Sequence, residues 1–98
     1  MNRPSYRLKV SDEVAGLIRG LHPHLKKKLR ASLQTILSEP HSGKALKEEL
    51  AGLWSFRVSR FRIIYRIRGA RRIEIVAIGP RERIYEETFK LIRKEQRR

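Results

Sequence analysis

The sequence predicts an α+β fold: a small antiparallel sheet packed on an N-terminal helical hairpin, in the order β-α-α-β-β-β-α, ending in a C-terminal helix. Three observations predict it. Residues 54–79 alternate apolar and polar side chains in three short runs separated by turn residues, the period of half-buried strands. Two segments before them repeat apolar residues at helical spacing. A final segment carries a partial helical stripe that dissolves into charge.

Taken in order, "YRLKV" (Tyr6 to Val10) alternates and reads as a short strand. Ser11 follows as an N-cap, with Asp12 and Glu13 in a first turn where carboxylates suit the helix dipole. Val14, Leu17, Ile18 and Leu21 form the stripe of the first helix. Pro23 ends or restarts it, and a second helix runs from about Pro23 to Ser38. Its buried stripe is Leu25, Leu29, Leu33, Ile36 and Leu37, with Lys26, Lys27, Lys28 and Arg30 facing outward. "EPHSGKAL" breaks the pattern with Pro40 and Gly43 and reads as a loop.

In "LWSFRVS", Trp54, Phe56 and Val58 share one face, and Ser55, Arg57 and Ser59 the other. In "FRIIYRI", Phe61, Ile63, Tyr65 and Ile67 oppose Arg62, Ile64, Arg66 and Arg68. After a turn at Gly69-Ala70, "RRIEIVAIG" is a buried-looking strand terminated by Gly79-Pro80. "RERIYEETFKLIRKEQRR" starts as a loop and becomes a helix. The helical hairpin covers one sheet face, and the other stays open, carrying Arg57 and Arg62.

A chain of 98 residues predicts one domain, 1–98, and 40% hydrophobic residues suffice for a core. No apolar run approaches the ~20 residues of a membrane span. "MNRPSYRLKV" lacks a signal-peptide core, and there is no cysteine, so a cytoplasmic location is expected. No His/Asp/Glu set has metal-ligand spacing, and there is no P-loop or GxSxG, so neither metal nor cofactor is expected.

Twenty-four Lys and Arg against ten Asp and Glu leave a net charge of +14, which calls for a nucleic acid, an acidic protein or an anionic membrane surface. "SFRVSRFRIIYRIRGARR" alone holds Arg57, Arg60, Arg62, Arg66, Arg68, Arg71 and Arg72. Guanidinium forks bind phosphate bidentately. The bland alternative, solvation with Glu74 and counterions, leaves one carboxylate against seven cations. The apolar stripe of "HLKKKLRASL" is spent on the sheet, which argues against a membrane-surface helix. In "GPRERIY", Arg81 and Arg83 emerge at a strand end with Tyr85 beyond them, a cation and a phenol placed to hold phosphate and base; a charged helix start is the bland alternative. His22 and His24 flank Pro23 as surface residues, and His41 is a candidate proton carrier.

Three pieces in this order carry a resemblance. "LAGLWSFRV" fits L-x-G-L/Y-W-x-x-R-V, "FRIIY" fits x-R-I/V-I/V-Y, and "GPRERIY" fits G-x-R-x-x-x-Y. Behind a basic helical hairpin they resemble the RelE/ParE superfamily of toxins over nearly the whole chain. The resemblance implies an acidic antitoxin as partner and a mobile C-terminal helix. For RelE-like members it implies a metal-free endoribonuclease acting on mRNA in the ribosomal A site. There the 2′-hydroxyl attacks the adjacent phosphate. The resemblance assigns Arg62, Arg81 and Tyr85 to catalysis: Arg62 and Arg81 clamp the phosphate, Arg81 also favours the leaving oxygen, and Tyr85 stacks on or orients the base. Arg57 holds the RNA backbone, with Lys44, Arg60 and Arg83 as further RNA contacts. Ser59 stands where such toxins often carry a second lysine, proposed as the base, leaving Lys44, His41 and Tyr85 as candidates. ParE-like members share the fold but poison DNA gyrase, and a degenerate member would only bind its antitoxin.

Overall fold

The computed structural model describes residues 6–96; the expectations for residues 1–5 and 97–98 lie outside them. β1 (Arg7–Val10) leads into α1 (Asp12–Arg19) and α2 (Pro23–Ser38). A two-residue strand β2 (Lys44–Ala45) follows, then β3 (Trp54–Val58), β4 (Phe61–Arg68), β5 (Arg72–Pro80) and α3 (Arg81–Gln96). The sheet order is β1-β5-β4-β3-β2. The α+β class is as expected, but the sheet is mixed: β1 lies parallel to β5, while the other pairs are antiparallel. The stretch expected as a loop holds β2 between two short 3₁₀ turns, Pro40–Ser42 and Glu48–Leu50.

The helix starts follow from their caps. The Ser11 hydroxyl accepts from the Val14 N–H at 3.1 Å. Pro23 occupies the first turn of α2, where a missing N–H costs nothing. The Lys26 ammonium donates to the Arg19 carbonyl at 3.1 Å and ties α2 to the end of α1. Leu29 and Ile36 are buried, with Leu25, Leu33 and Leu37 packed beside them, as the spacing predicts. On α1, Val14 is buried and Ile18 packs with it, whereas Leu17 is exposed; Leu21, expected on this helix, packs on the core from just past its end.

These helices cover the sheet face of Val58, Ile63, Tyr65, Ile73, Ile75 and Ile78. The sequence alone leaves the opposite face open; in the structure α3 crosses it. Ile84 and the wholly buried Thr88 sit there with Leu53, Ile64 and Ala77. No loop precedes α3: it begins at Arg81, directly after β5, and the Arg81 N–H donates to the Arg60 carbonyl at 3.1 Å.

A bulge makes both cores compatible. Tyr65 pairs with Ile75, but Ile64 pairs with Ala77, so Val76 is extra. Ile73 and Ile75 therefore share a face with Ile78, and Ala77 turns its small side chain to α3. This is why the strand reads as buried throughout.

Tyr65 fastens the loop after α2. Its hydroxyl donates to the Pro40 carbonyl at 2.7 Å and accepts from the Gly43 N–H at 3.2 Å. Trp54 stacks on its ring, and His41 meets Trp54 edge-on. Gly43 has no room for a side chain: an added Cβ would lie 2.7 Å from the Tyr65 hydroxyl and 2.9 Å from the Ser55 carbonyl.

Burial pushes the Tyr65 phenol up, against hydrogen bonds from Gly43 and Ser42 that pull it down. A phenol raised on folding contributes fully below its unfolded value of about 10 and loses that contribution as pH rises through the folded value. Urea unfolding of Tyr65→Phe is expected to show a loss of about 1–3 kcal/mol at neutral pH from the unpaired Pro40 carbonyl. Above pH of about 10 the variant should lose less stability than wild type; parallel pH curves would contradict this.

Candidate nucleic-acid interface

Register builds the site. Arg57 pairs with Arg62 across β3 and β4, and Arg62 pairs with Gly79 across β4 and β5. Directly opposed residues share a face, so the two guanidiniums stand side by side. Arg81 follows Gly79 by two residues and starts α3. Gly79 permits the close turn: a Cβ there would stand 3.0 Å from the Ile84 side chain. The Ser59-Arg60 turn brings Arg60 to the same end, with Ser59 at φ 57°, a left-handed conformation that favours glycine.

Arg57, Arg60, Arg62 and Arg81 thus line one hollow of about 240 Å³, together with Ser59, Phe61 and Glu82. The Arg57 Nε donates to the Ser59 carbonyl at 3.3 Å. The Arg62 Nε is buried and has no hydrogen-bond partner. Such an orphaned donor costs about 1–3 kcal/mol. The N-terminus of α3 adds its positive end to the field.

The remaining arginines of the hairpin do other things. Arg66 donates through Nε to Glu74 at 2.6 Å and through both terminal nitrogens to Glu95, at 3.3 and 2.9 Å. Burial lowers the pKa of Arg66, but Glu95 and Glu74 outweigh it and the net shift is upward. Arg66 is a structural tie between sheet and helix. Arg68, Arg71 and Arg72 lie exposed at the far end of the hairpin.

The other expected site residues are spread around the hollow. Lys44 is exposed on β2, opposite Ser55 and one pleat from Arg57. Arg83 is exposed on α3 and does not line the hollow. The Tyr85 hydroxyl is 3.1 Å from the Ser55 Oγ, and its ring packs with the Leu53–Ile64 cluster. A base-stacking role requires the ring to swing out of that packing. His41 is held at Trp54.

Two features escaped the sequence reading. Glu82 enters the arginine hollow; its place beside Arg81 in a helix's first turn was the signal available. A second hollow of about 270 Å³ continues across the β3–β4 turn, sharing Ser59, Arg60 and Phe61 and adding His22, His24 and Lys28. Nothing local in the sequence joins α2 to that turn. A larger groove of about 570 Å³ lies between α1 and α3. Its arginine is the occupied Arg66, and Glu13 and Glu87 line it, so it repels phosphate. Among the described residues no three His, Asp or Glu gather as metal ligands, and no helix is long and apolar enough to cross a membrane.

Residues 6–85 match the family model of the ParE toxin of type II toxin-antitoxin system, parDE. Among solved structures, the chain is similar to one in the toxin-antitoxin complex RelBE2 from Mycobacterium tuberculosis. That match has 25% identity and a TM-score of 0.68, and covers 79% of this chain and 99% of that one. The archaeal RelE-RelB complex from Pyrococcus horikoshii OT3 gives 24% identity and a TM-score of 0.66, over 80% and 97% of the two chains. A mutant of E. coli toxin RelE in the free state gives 17% identity and a TM-score of 0.71, over 93% and 97%. No curated protein matches the sequence.

Inorganic phosphate is expected to stabilise the protein through the hollow, by about 1.4 kcal/mol at tenfold excess over its Kd. Calorimetry should show the melting temperature rising with phosphate in wild type and much less in Arg62→Met. An equal rise in the variant would mean that the anion acts elsewhere.

Proposed function

The chain belongs to the RelE/ParE superfamily of type II toxins, and from that premise we propose that it is a ribosome-dependent mRNA endoribonuclease. The observation that carries this reading is the convergence of Arg57, Arg62 and Arg81 on one hollow, with the Arg62 Nε buried and unpaired. A scissile phosphate in that hollow meets several guanidinium forks at once. The 2′-hydroxyl gives up its proton and attacks phosphorus; the O2′–P bond forms and the P–O5′ bond breaks. The products are a 2′,3′-cyclic phosphate and a 5′-hydroxyl. Arg62 and Arg81 stabilise the charge that builds on the phosphorane oxygens, and Arg81 also the leaving oxygen. Arg57 and Arg60 hold the backbone, with Lys44 and Arg83 as outer contacts that add affinity and no sequence preference. Tyr85 seats the first turns of α3 on Ser55.

Two of the similar solved chains come from toxin-antitoxin complexes. An acidic antitoxin is the partner that relieves +14 when the toxin is restrained. Both partners act in the cytoplasm on this reading. One observation favours a second reading: the matched family model is described by ParE. There the same arginines would grip an acidic surface of DNA gyrase.

The test is cleavage of mRNA on ribosomes programmed with a defined A-site codon, read by primer extension. Wild type is expected to cut within that codon. Arg81→Ala should lose about 10²–10³ in rate, the usual cost of one electrostatic stabiliser, and Arg83→Ala far less. An intact mRNA together with inhibited supercoiling would establish the gyrase reading instead. Neither effect would leave a toxin that only binds its antitoxin.

A further inference from the structure

We infer that Glu82 is the proton acceptor for the attacking 2′-hydroxyl, an inference that rests on the endoribonuclease reading above. The reaction needs a base beside the phosphate, and the walls of the hollow name only one. The guanidiniums of Arg57, Arg60, Arg62 and Arg81 are donors without acceptor capacity. Phe61 is inert, and the Ser59 hydroxyl is a poor base. Glu82 brings the only carboxylate into this set.

The three candidates that the sequence offers stand elsewhere. His41 is packed on Trp54, the Tyr85 hydroxyl is shared with Ser55, and Lys44 lies outside the hollow on β2. Glu82, by contrast, is uncommitted. The ion pairs of the described residues join Arg66 to Glu74 and Glu95, and Lys90 to Glu86; the Glu82 carboxylate enters none of them and no side-chain hydrogen bond among the described residues.

Position suits the role. Arg81 and Glu82 are successive residues at the start of α3, so their side chains leave the helix about 100° apart. One phosphate can thus meet a cation on its leaving-group side and a carboxylate on its attacking side. Glu82 takes the proton from O2′ as the O2′–P bond forms. The electron pair of the breaking P–O5′ bond goes to the 5′-oxygen beside Arg81, which then takes a proton from water. The alternative is that Glu82 only complements the dipole of α3. That role would move stability and leave the chemical step untouched.

The experiment is single-turnover cleavage on programmed ribosomes by wild type, Glu82→Gln and Glu82→Asp, with thermal melts and ribosome binding measured alongside. A second mRNA carries sulfur in place of the scissile 5′-oxygen, a leaving group that needs no proton. Glu82→Gln is expected to bind ribosomes like wild type and to cut about 10²–10⁴-fold more slowly. It should stay slow on the sulfur substrate, because a better leaving group does not relieve the missing base. Glu82→Asp keeps the charge, retracts the carboxylate by one methylene, and should fall between the two. Should Glu82→Gln melt early, the comparison rests on Glu82→Asp. Glu82→Gln cutting as fast as wild type would overturn the inference while leaving the endoribonuclease reading intact. Full rescue by the sulfur substrate would overturn it too, by moving Glu82 to the leaving-group side. A wild type that leaves the mRNA intact would overturn the endoribonuclease reading itself, and the inference with it.

Discussion

The row Arg57–Arg62–Gly79 across three strands is the constraint from which the rest of the site follows. It sets two guanidiniums side by side and places Arg81 just past the third strand. The bulge at Val76 sets that row. Without it, Arg62 would face Ile78, and the alternation of β5 beyond the bulge would invert. Ile78 would leave the helical core, Ala77 would enter it, and α3 would meet a bulky side chain where it now finds a small one. One extra residue thus serves the core, the seat of α3 and the arginine cluster together.

The cluster works against the fold that carries it. Like charges directly opposed across strands are destabilising, and a buried donor without a partner adds to the cost. The fold offers a contrast a few residues away. Arg66 stands opposite Glu74 on β5, Lys9 stands beyond Glu74 on β1, and Glu95 closes over Arg66 from α3. There the strands alternate charge and every guanidinium nitrogen of Arg66 has a carboxylate. At the other end of the same hairpin no carboxylate of the described residues pairs with Arg57 or Arg62, and among them only Glu82 reaches the hollow. The same sheet builds a satisfied arginine and an unsatisfied one, which singles out the unsatisfied end as the candidate site.

Local signals were legible in the sequence. Ser11 caps α1, Pro23 opens α2, and the leucine stripe of α2 faces the sheet, because each depends on neighbours within a turn or two. The apolar face of β3 and β4 was legible for the same reason. Long-range consequences were not. The parallel pairing of β1 with β5 joins opposite ends of the chain, and alternation within a strand says nothing about its partner. The seat of α3 was hidden because its stripe is thin: Ile84 and Thr88 carry the buried contact, and a threonine does not announce a core position. The sequence alone sets seven arginines in one hairpin without separating their roles. Strand parity, the turn at Ser59 and the acids on β5 and α3 sort them into a cluster, a tie and a solvated end.

α3 joins these parts, and its attachment explains how the site is placed. It leaves β5 without a loop, so Arg81 and Glu82 inherit the position of the sheet with little freedom of their own. Beyond them it is held by Ile84 and Thr88, by the Tyr85–Ser55 contact and, at its far end, by Arg66 on Glu95. That is a small apolar footprint with polar ties at two points, the profile of an element that opens before the rest of the domain. Lifting α3 beyond its first turn would uncover Leu53, Ile64 and Ala77. The seat of α3 on that face and the placing of Arg81 and Glu82 are thus separate matters: the first rests on side-chain contacts, the second on direct continuity with β5.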